Sequence, residues 1–399
     1  MAALVALATI VGFHKDVPHQ PVTVSSAFFL GAACMIVLML ALAARGRRFT
    51  HLPVAAGRVV AIIPAYNEHP VTVAEVVASL LAGSVVPDVI HVVDDGSAMP
   101  VRTIDHPRVV WHRQANRGKR AAQLFGLRSS WDADFILTMD SDSVAQPRAL
   151  EHALRAMSDP RVQAVTATCL VRNRRQNLLT RLTDLEVVTG NFVMRRARSV
   201  MGVVAPTSGP FTLYRAKVVF ENAADYLASG TYSDDRRLTH YALARGEVVA
   251  CDEAIVEMDM PASPRGMFRQ RTRWFQGYFK YLGWELANLR GIAFWLRVWN
   301  LVLAVMYPFV LAYALLVVPI VYGSLFWEAW AYWLALLYSQ TLHYLADRPL
   351  MPFRSRLAAW LFLTPLLIPL QFAILRPAMY YALTKLRSEA WVTRDLKPA

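Results

Sequence analysis

The sequence predicts an α/β domain, built on a parallel sheet with helices on both faces and inserted between membrane-embedded and interfacial helices. Three observations carry this reading. Hydrophobic residues gather in a few uncharged segments. A polar block from Arg45 to Arg290 alternates strand-like and helix-like patterns. Each strand expected there ends in residues able to do chemistry.

The chain is 399 residues long, 55% hydrophobic and only 18% charged, too apolar for an ordinary soluble enzyme. Ala3 to Phe13 reaches only about half a bilayer at 1.5 Å per residue, so it reads as interfacial or as an abbreviated span. It has no basic flank and a longer apolar segment follows, which argues against a cleaved signal peptide. Val24 to Ala44 carries no charge and matches the roughly 20 residues needed to cross the hydrocarbon core. Arg45-Gly-Arg-Arg48 follows it directly and assigns the next block to the cytoplasm.

Within that block, strands are expected at Arg58 to Pro64, Val89 to Val93, Val109 to His112 and Phe135 to Met139. Helices are expected at Val71 to Leu81, Lys119 to Arg128 and Arg148 to Met157. Pro261 to Asn288, rich in Arg and aromatic residues, reads as amphipathic helices on the membrane surface. Val298 to Gly323, Ala329 to Leu345 and Leu357 to Leu375 are again uncharged. Three crossings would leave the C-terminus outside, yet Lys385, Arg387, Arg394 and Lys397 favour the inside. The expectation is therefore a cytoplasmic C-terminus. One segment would be re-entrant, or Leu357 to Leu383 would form two short helices bent at Pro365, Pro369 and Pro377. The resulting division is 1–45, an N-terminal interfacial and transmembrane segment; 46–258, the cytoplasmic domain; 259–293, interface helices; 294–385, membrane helices; and 386–399, a tail.

A net charge of +13 suits positive-inside flanks and sites for a diphosphate; no basic stripe with stacking aromatics points to nucleic acid. Cys34, Cys169 and Cys251 have no paired spacing, which argues against disulfides and against a zinc site.

The candidate site residues stand at the strand ends. Asp140-Ser-Asp142 can chelate a hard divalent ion beside a diphosphate, or can be a solvated turn. Asp94-Asp95-Gly96 can accept hydrogen bonds from a uracil or ribose, or can be an ordinary turn. Pro64-Ala-Tyr66-Asn-Glu68 can stack a base on Tyr66, or can be a loop. Gly118-Lys119-Arg120 opens a helix and suits phosphate. Asp234 and Asp235 precede an apolar helix, where one carboxylate can serve as general base or both can complement the helix dipole. Gln270, Arg273 and Trp274 share a helix face, offering a grip for a diphosphate and a platform for a sugar, or a plain interfacial belt.

Taken in order, these motifs resemble the processive family-2 glycosyltransferases, the group of hyaluronan, chitin and cellulose synthases, from about residue 24 to the C-terminus. Gln270-x-x-Arg273-Trp274 is the most specific element. Ser208-Gly209-Pro210, Asp234-Asp-Arg-Arg-Leu-Thr239 and Trp391-Val-Thr-Arg394 lean toward the hyaluronan branch, with Arg237 where that branch has His. The resemblance implies a GT-A (Rossmann-like) domain and an enzyme that makes a β-linked polysaccharide from UDP-GlcNAc and UDP-GlcA. The alternatives are a chitin or poly-GlcNAc synthase that uses UDP-GlcNAc alone, and a single-addition lipid glycosyltransferase. It further implies that Tyr66, Glu68, Asp94, Asp95 and Lys119 hold the nucleotide, that Asp140 and Asp142 hold donor and Mn2+ or Mg2+, and that Asp235 is the base. Arg273 would bind diphosphate, Trp274 the acceptor, and Trp391 and Arg394 would close over the nucleotide. The implied partners are UDP-sugars, the growing polysaccharide and membrane lipids, with the chain acting as a monomer.

Overall fold

An eight-stranded sheet in the order β3-β2-β1-β4-β7-β6-β8-β5 organises the chain in a computed structural model. The structure describes residues 24–102, 104–230, 233–312, 316, 320 and 327–387. The strands are β1 (Val59–Ala65), β2 (Val89–Asp94), β3 (Val109–Arg113), β4 (Phe135–Thr138), β5 (Ser143–Ala145), β6 (Val162–Val171), β7 (Thr212–Arg215) and β8 (Glu247–Met258). The expected first half is present: β3, β2, β1 and β4 run parallel, joined by helices Pro70–Leu81 and Lys119–Leu127. The second half is a correction to an all-parallel sheet. β7 is antiparallel to both β4 and β6, β6 is parallel to β8, and β5 is antiparallel to β8.

Burial explains the strands. All seven residues of β1 and all four of β4 are buried, as expected for sheet covered on both faces. One apolar core includes Val73, Val76 and Leu80 beneath Ile63 and Val92; the other includes Ala122 and Leu127 with Ile62 and Val93. Gly126 permits the second contact, because a Cβ there would lie 2.3 Å from Ile62 Cδ1.

The apolar helices close on this domain. Helix Val24–Arg45 leads into Arg47, which pairs with Asp159 at 3.0 Å and with Glu247, so this basic residue serves as a domain anchor. Helices Pro264–Lys280 and Leu282–Asn288 occupy the expected interfacial stretch, followed by Gly291–Ala312 and Trp327–Thr341. Gly31–Arg45 and Gly291–Met306 are short apolar stretches, and among the residues searched no single helix is long and apolar enough to cross a membrane. The pair Phe353–Leu363 and Leu367–Thr384, bent by 63°, passes that test together. The break falls at Thr364 to Leu366, around Pro365, while Pro369 and Pro377 lie inside the second half.

Both ends of the bent pair are anchored, the first on the α/β domain and the second on the interface helix Pro264–Lys280. Before it, Arg348 makes a buried pair with Asp184 (3.1 Å) and Tyr344 donates to the same carboxylate (2.8 Å). After it, Gln276 Nε2 donates to the Lys385 carbonyl (3.1 Å), and Tyr381 lies against Phe268 at 5.7 Å. Ala3 to Phe13, Trp391 and Arg394 lie outside the described residues.

Candidate active site

A cavity of about 970 Å³ opens at the carboxyl ends of β1, β2 and β4. Tyr66, Glu68, Asp95, Lys119, Asp140, Asp142, Ser208, Gly209, Pro210, Asp234, Asp235, Gln270, Arg273 and Trp274 all line it. Candidate residues from Tyr66 to Trp274 thus line one cavity, with Asp94 the exception among the described ones. Its carboxylate accepts from the Ser97 and Val101 backbone amides (2.8 and 3.4 Å) and pairs with Arg113, which turns it into the β2 loop and away from the cavity.

Asp95 is buried and also heavily used by the protein itself. It accepts from Gln114 Nε2 (2.6 Å) and from the amides of Arg117 (3.0 Å) and Gly118 (2.9 Å). It therefore fixes the loop that delivers Lys119 at the start of its helix. Asn67, at φ 50°, donates its amide to Ser97 Oγ (2.8 Å) and accepts from Ala98, tying the Tyr66–Glu68 turn to the same loop.

Lys119 Nζ sits between Asp140 Oδ1 (2.6 Å) and Asp234 Oδ2 (2.8 Å). Burial opposes its charge, but the two carboxylates outweigh burial and raise the ammonium pKa. Burial likewise works against ionised Asp234, and Lys119 overcomes it to hold that pKa low. Asp235 has the opposite fate. Burial and the neighbouring Asp234 charge push it up to about 6. Two adjacent carboxylates thus have their pKa values driven apart, the arrangement expected of a general base beside a fixed anion.

Asp140 and Asp142 offer hard oxygen ligands on one turn. Among the described residues no group of three or more His, Cys, Asp or Glu forms a closed metal cage. A pair of carboxylates fits Mg2+ or Mn2+, which commonly take one or two from the protein and the remaining oxygens from phosphates and water. The Ser208–Pro210 loop lies directly on this turn: a Cβ on Gly209 would come within 2.8 Å of Asp140 Oδ2, so a side chain there would push the Asp140 carboxylate aside. Ser208 is anchored by Thr166 Oγ1, 2.7 Å from its hydroxyl.

Helix Pro264–Lys280 closes the cavity. Arg271, paired with Glu186 at 2.6 Å, lies 4.3 Å from the Trp274 ring centroid and props that ring, which is 41% exposed. Gln270 Oε1 is buried without a hydrogen-bond partner, an acceptor left for a ligand hydroxyl.

Residues 56–277 match the family described as Glycosyltransferase like family 2. The chain belongs to glycosyltransferase family 2. It is 31% identical over 366 residues to a hyaluronan synthase of Streptococcus pyogenes serotype M1, covering 84% of this chain and 83% of that protein. It is 32% identical over 243 residues to an N-acetylglucosaminyltransferase of Bradyrhizobium diazoefficiens, covering 56% of this chain and 50% of the relative. A mannosyltransferase from Pyrobaculum calidifontis, solved in complex with GDP-Man and Mn2+, superposes with a TM-score of 0.55 at 16% identity, covering 98% of this chain and 99% of that one. That likeness establishes the GT-A-like α/β fold of this glycosyltransferase.

Several lining or supporting residues were not foreseen from sequence. Glu285, buried in the interface helix, accepts from Arg236 (2.8 Å), His240 (3.0 Å) and Arg297. Burial opposes its ionisation, but these partners hold it at about 2. Arg237, at the position where the family resemblance expects His, pairs with Asp225 and stacks near Trp284, away from the lining. Arg195 and Arg198 line the cavity from the basic run Met194-Arg-Arg-Ala-Arg198. Apolar residues flank that run on both sides, so nothing in the local sequence marks these two arginines as lining a site.

Proposed function

We propose that this glycosyltransferase is processive and inverting, polymerising UDP-GlcNAc and UDP-GlcA into a β-linked, hyaluronan-like polysaccharide and moving it across the plasma membrane. The observation that carries the reading is Asp235, raised to about 6 and facing the cavity that holds Lys119, Asp140 and Trp274. A carboxylate so poised is ionised at neutral pH yet basic enough to take a proton. The hyaluronan synthase likeness, spread over most of both chains, supports the choice of substrates.

In this mechanism the hydroxyl at the non-reducing end of the acceptor gives its proton to Asp235. Its oxygen bonds to C1 of the donor sugar as the C1–O bond to UDP breaks on the opposite face, with both electrons leaving on UDP. In-line attack turns an α-linked donor into a β-linked product. Lys119 and Arg273 offset the charge on departing UDP. A divalent ion held by Asp140 and Asp142 would neutralise diphosphate charge. Tyr66 and Glu68 would meet the uridine, and Asp95 would act through the loop it braces. Gln270 and Trp274 would seat the acceptor sugar, with Trp391 and Arg394 closing over the nucleotide.

The cytoplasmic face is favoured for the catalytic domain. The bent pair begins against that domain and ends against the interface helix Pro264–Lys280, which supports a re-entrant element and a C-terminus on the same side. The N-acetylglucosaminyltransferase relative favours a second reading, in which UDP-GlcNAc alone is polymerised. Purified protein with Mn2+ tests both through UDP release. Turnover that requires both donors and yields a hyaluronidase-sensitive polymer supports the first reading. Sustained turnover with UDP-GlcNAc alone, giving a chitinase-sensitive product, replaces it with the second.

A further inference from the structure

The same cavity is also lined by the end of helix Leu178–Thr189 and the π-helical turn Gly190–Arg195 that follows it. Such turns widen a helix locally and often serve binding sites. Here Asn191 is fixed by donating Nδ2 to the Cys169 carbonyl (2.7 Å), and Arg195 Nη1 donates to Asn191 Oδ1 (3.1 Å). Arg198, three residues on and on the same face, donates Nη1 to the Ala205 carbonyl (2.7 Å).

The charges around this wall do not balance. Arg236 and Arg297 share Glu285, and Arg271 has Glu186. Arg195 and Arg198 have no carboxylate partner among the described residues, only neutral acceptors. Arg198 Nε is buried with no hydrogen-bond partner. Burial, then the positive charges of Arg195, Arg236 and Arg297, bring the Arg198 guanidinium down to about 10. A bound anion would relieve that crowding and supply the missing acceptor.

We infer that Arg195 and Arg198 form an anion subsite on the acceptor side of Asp235, taking the carboxylate of a uronic acid residue at the end of the growing chain. The inference rests on the polymerase reading above. Existing partners distinguish this ligand from the donor diphosphate: Lys119 is already committed to Asp140 and Asp234, whereas Arg198 has only the positive charges of Arg195, Arg236 and Arg297 around it and a neutral carbonyl to bond. Planar guanidinium groups three residues apart suit a planar carboxylate.

The test uses the full chain with UDP-GlcNAc as donor and two acceptor oligosaccharides that differ only at the terminal residue, one ending in GlcA and one in its carboxyl-reduced glucose form. Wild type should favour the carboxylate acceptor in kcat/KM. Arg195→Gln/Arg198→Gln should cut that preference by about tenfold to a hundredfold, the effect of losing a charge-assisted contact. Arg195→Lys/Arg198→Lys, which keeps the charge, should retain more of it. Equal losses on both acceptors, in the Gln and Lys pairs alike, would overturn the subsite in favour of a packing role. Weaker inhibition by UDP with an unchanged acceptor preference would overturn it in favour of a diphosphate contact. A wild-type chain that extends neither acceptor would overturn the polymerase reading and the subsite with it, a failure distinct from the other two.

Discussion

Asp235→Asn should remove sugar transfer while making the folded protein more stable at neutral and alkaline pH. The folded pKa of Asp235, about 6, lies above the ordinary value of 3.8. The group therefore favours the fold only while protonated: that contribution is full below about pH 3.8 and is lost as pH rises through about 6. At 1.36 kcal/mol per pKa unit the penalty at pH 8 has a ceiling of about 3 kcal/mol. Asp235 faces an open cavity, so solvent screening reduces this to about 1 kcal/mol. For a domain of this size that corresponds to roughly 2–4 °C in Tm. Asparagine keeps the shape, drops the charge and escapes the penalty. Thermal melts at pH 5 and pH 8 should show a stabilisation that grows with pH, while UDP release falls by about 10²–10⁴-fold. The wild-type rate should itself decline about tenfold per pH unit below pH 6. Transfer surviving within tenfold in the variant would refute Asp235 as base. A stabilisation equal at both pH values would refute the charge argument.

Two further outcomes follow from the geometry of the site. Gly277→Ala should cost about 1–3 kcal/mol of overpacking or an equivalent loss of activity, because a Cβ there would lie 1.6 Å from Ser233 Oγ and 2.7 Å from its Cβ. Adding Ser233→Gly removes both atoms and suits the φ of 50° at that position, so the double variant should recover most of the loss in UDP-release assays. Chelation should stop transfer and Mn2+ should restore it, with Asp142→Asn raising the Mn2+ concentration needed for half-maximal rate by tenfold or more.

The half of the fold that carries β1, β2 and β4 was legible because those strands are short, almost wholly buried and end in polar turns; β3 at the sheet edge is partly exposed but keeps its β-branched run. Val59–Ala65, Val89–Asp94, Val109–Arg113 and Phe135–Thr138 stand within a residue or so of expectation. β6 and β8 were not foreseen, since Val162–Val171 mixes Thr and Ala among its apolar residues and Glu247–Met258 carries Asp and Glu; their pairing is decided by partners far away in sequence. Site residues at strand ends were found for a local reason, their place after an apolar run. Asp94 and Asp95 show the limit of that logic, because adjacent carboxylates point to opposite sides and only Asp95 lines the cavity. Glu285, Gly277 and Arg198 carry no local signal of their roles. Each matters through a contact with a segment at least seven residues away.

Those contacts bear on how the base is held. Asp235 is the second residue of a helix whose preceding residue, Ser233, has left-handed geometry and lies against Gly277 of the interface helix. Arg120, next to Lys119, donates to the carbonyls of Tyr226 and Ser233 and to the Tyr281 hydroxyl (2.7 Å), so one buried cation spans the donor loop, the base and the interface helix. On the other side Arg236 is drawn to Glu285, which also grips Arg297 of the following apolar helix. Asp235, the proposed base, therefore belongs to neither the α/β domain nor the interface helices alone. Its position is fixed by both, and each carries part of the same cavity: the nucleotide loops on one side, Trp274 on the other. A shift of the interface helices would carry Ser233, and with it Asp235, together with Trp274, so the proposed base and the proposed sugar platform change position as one unit.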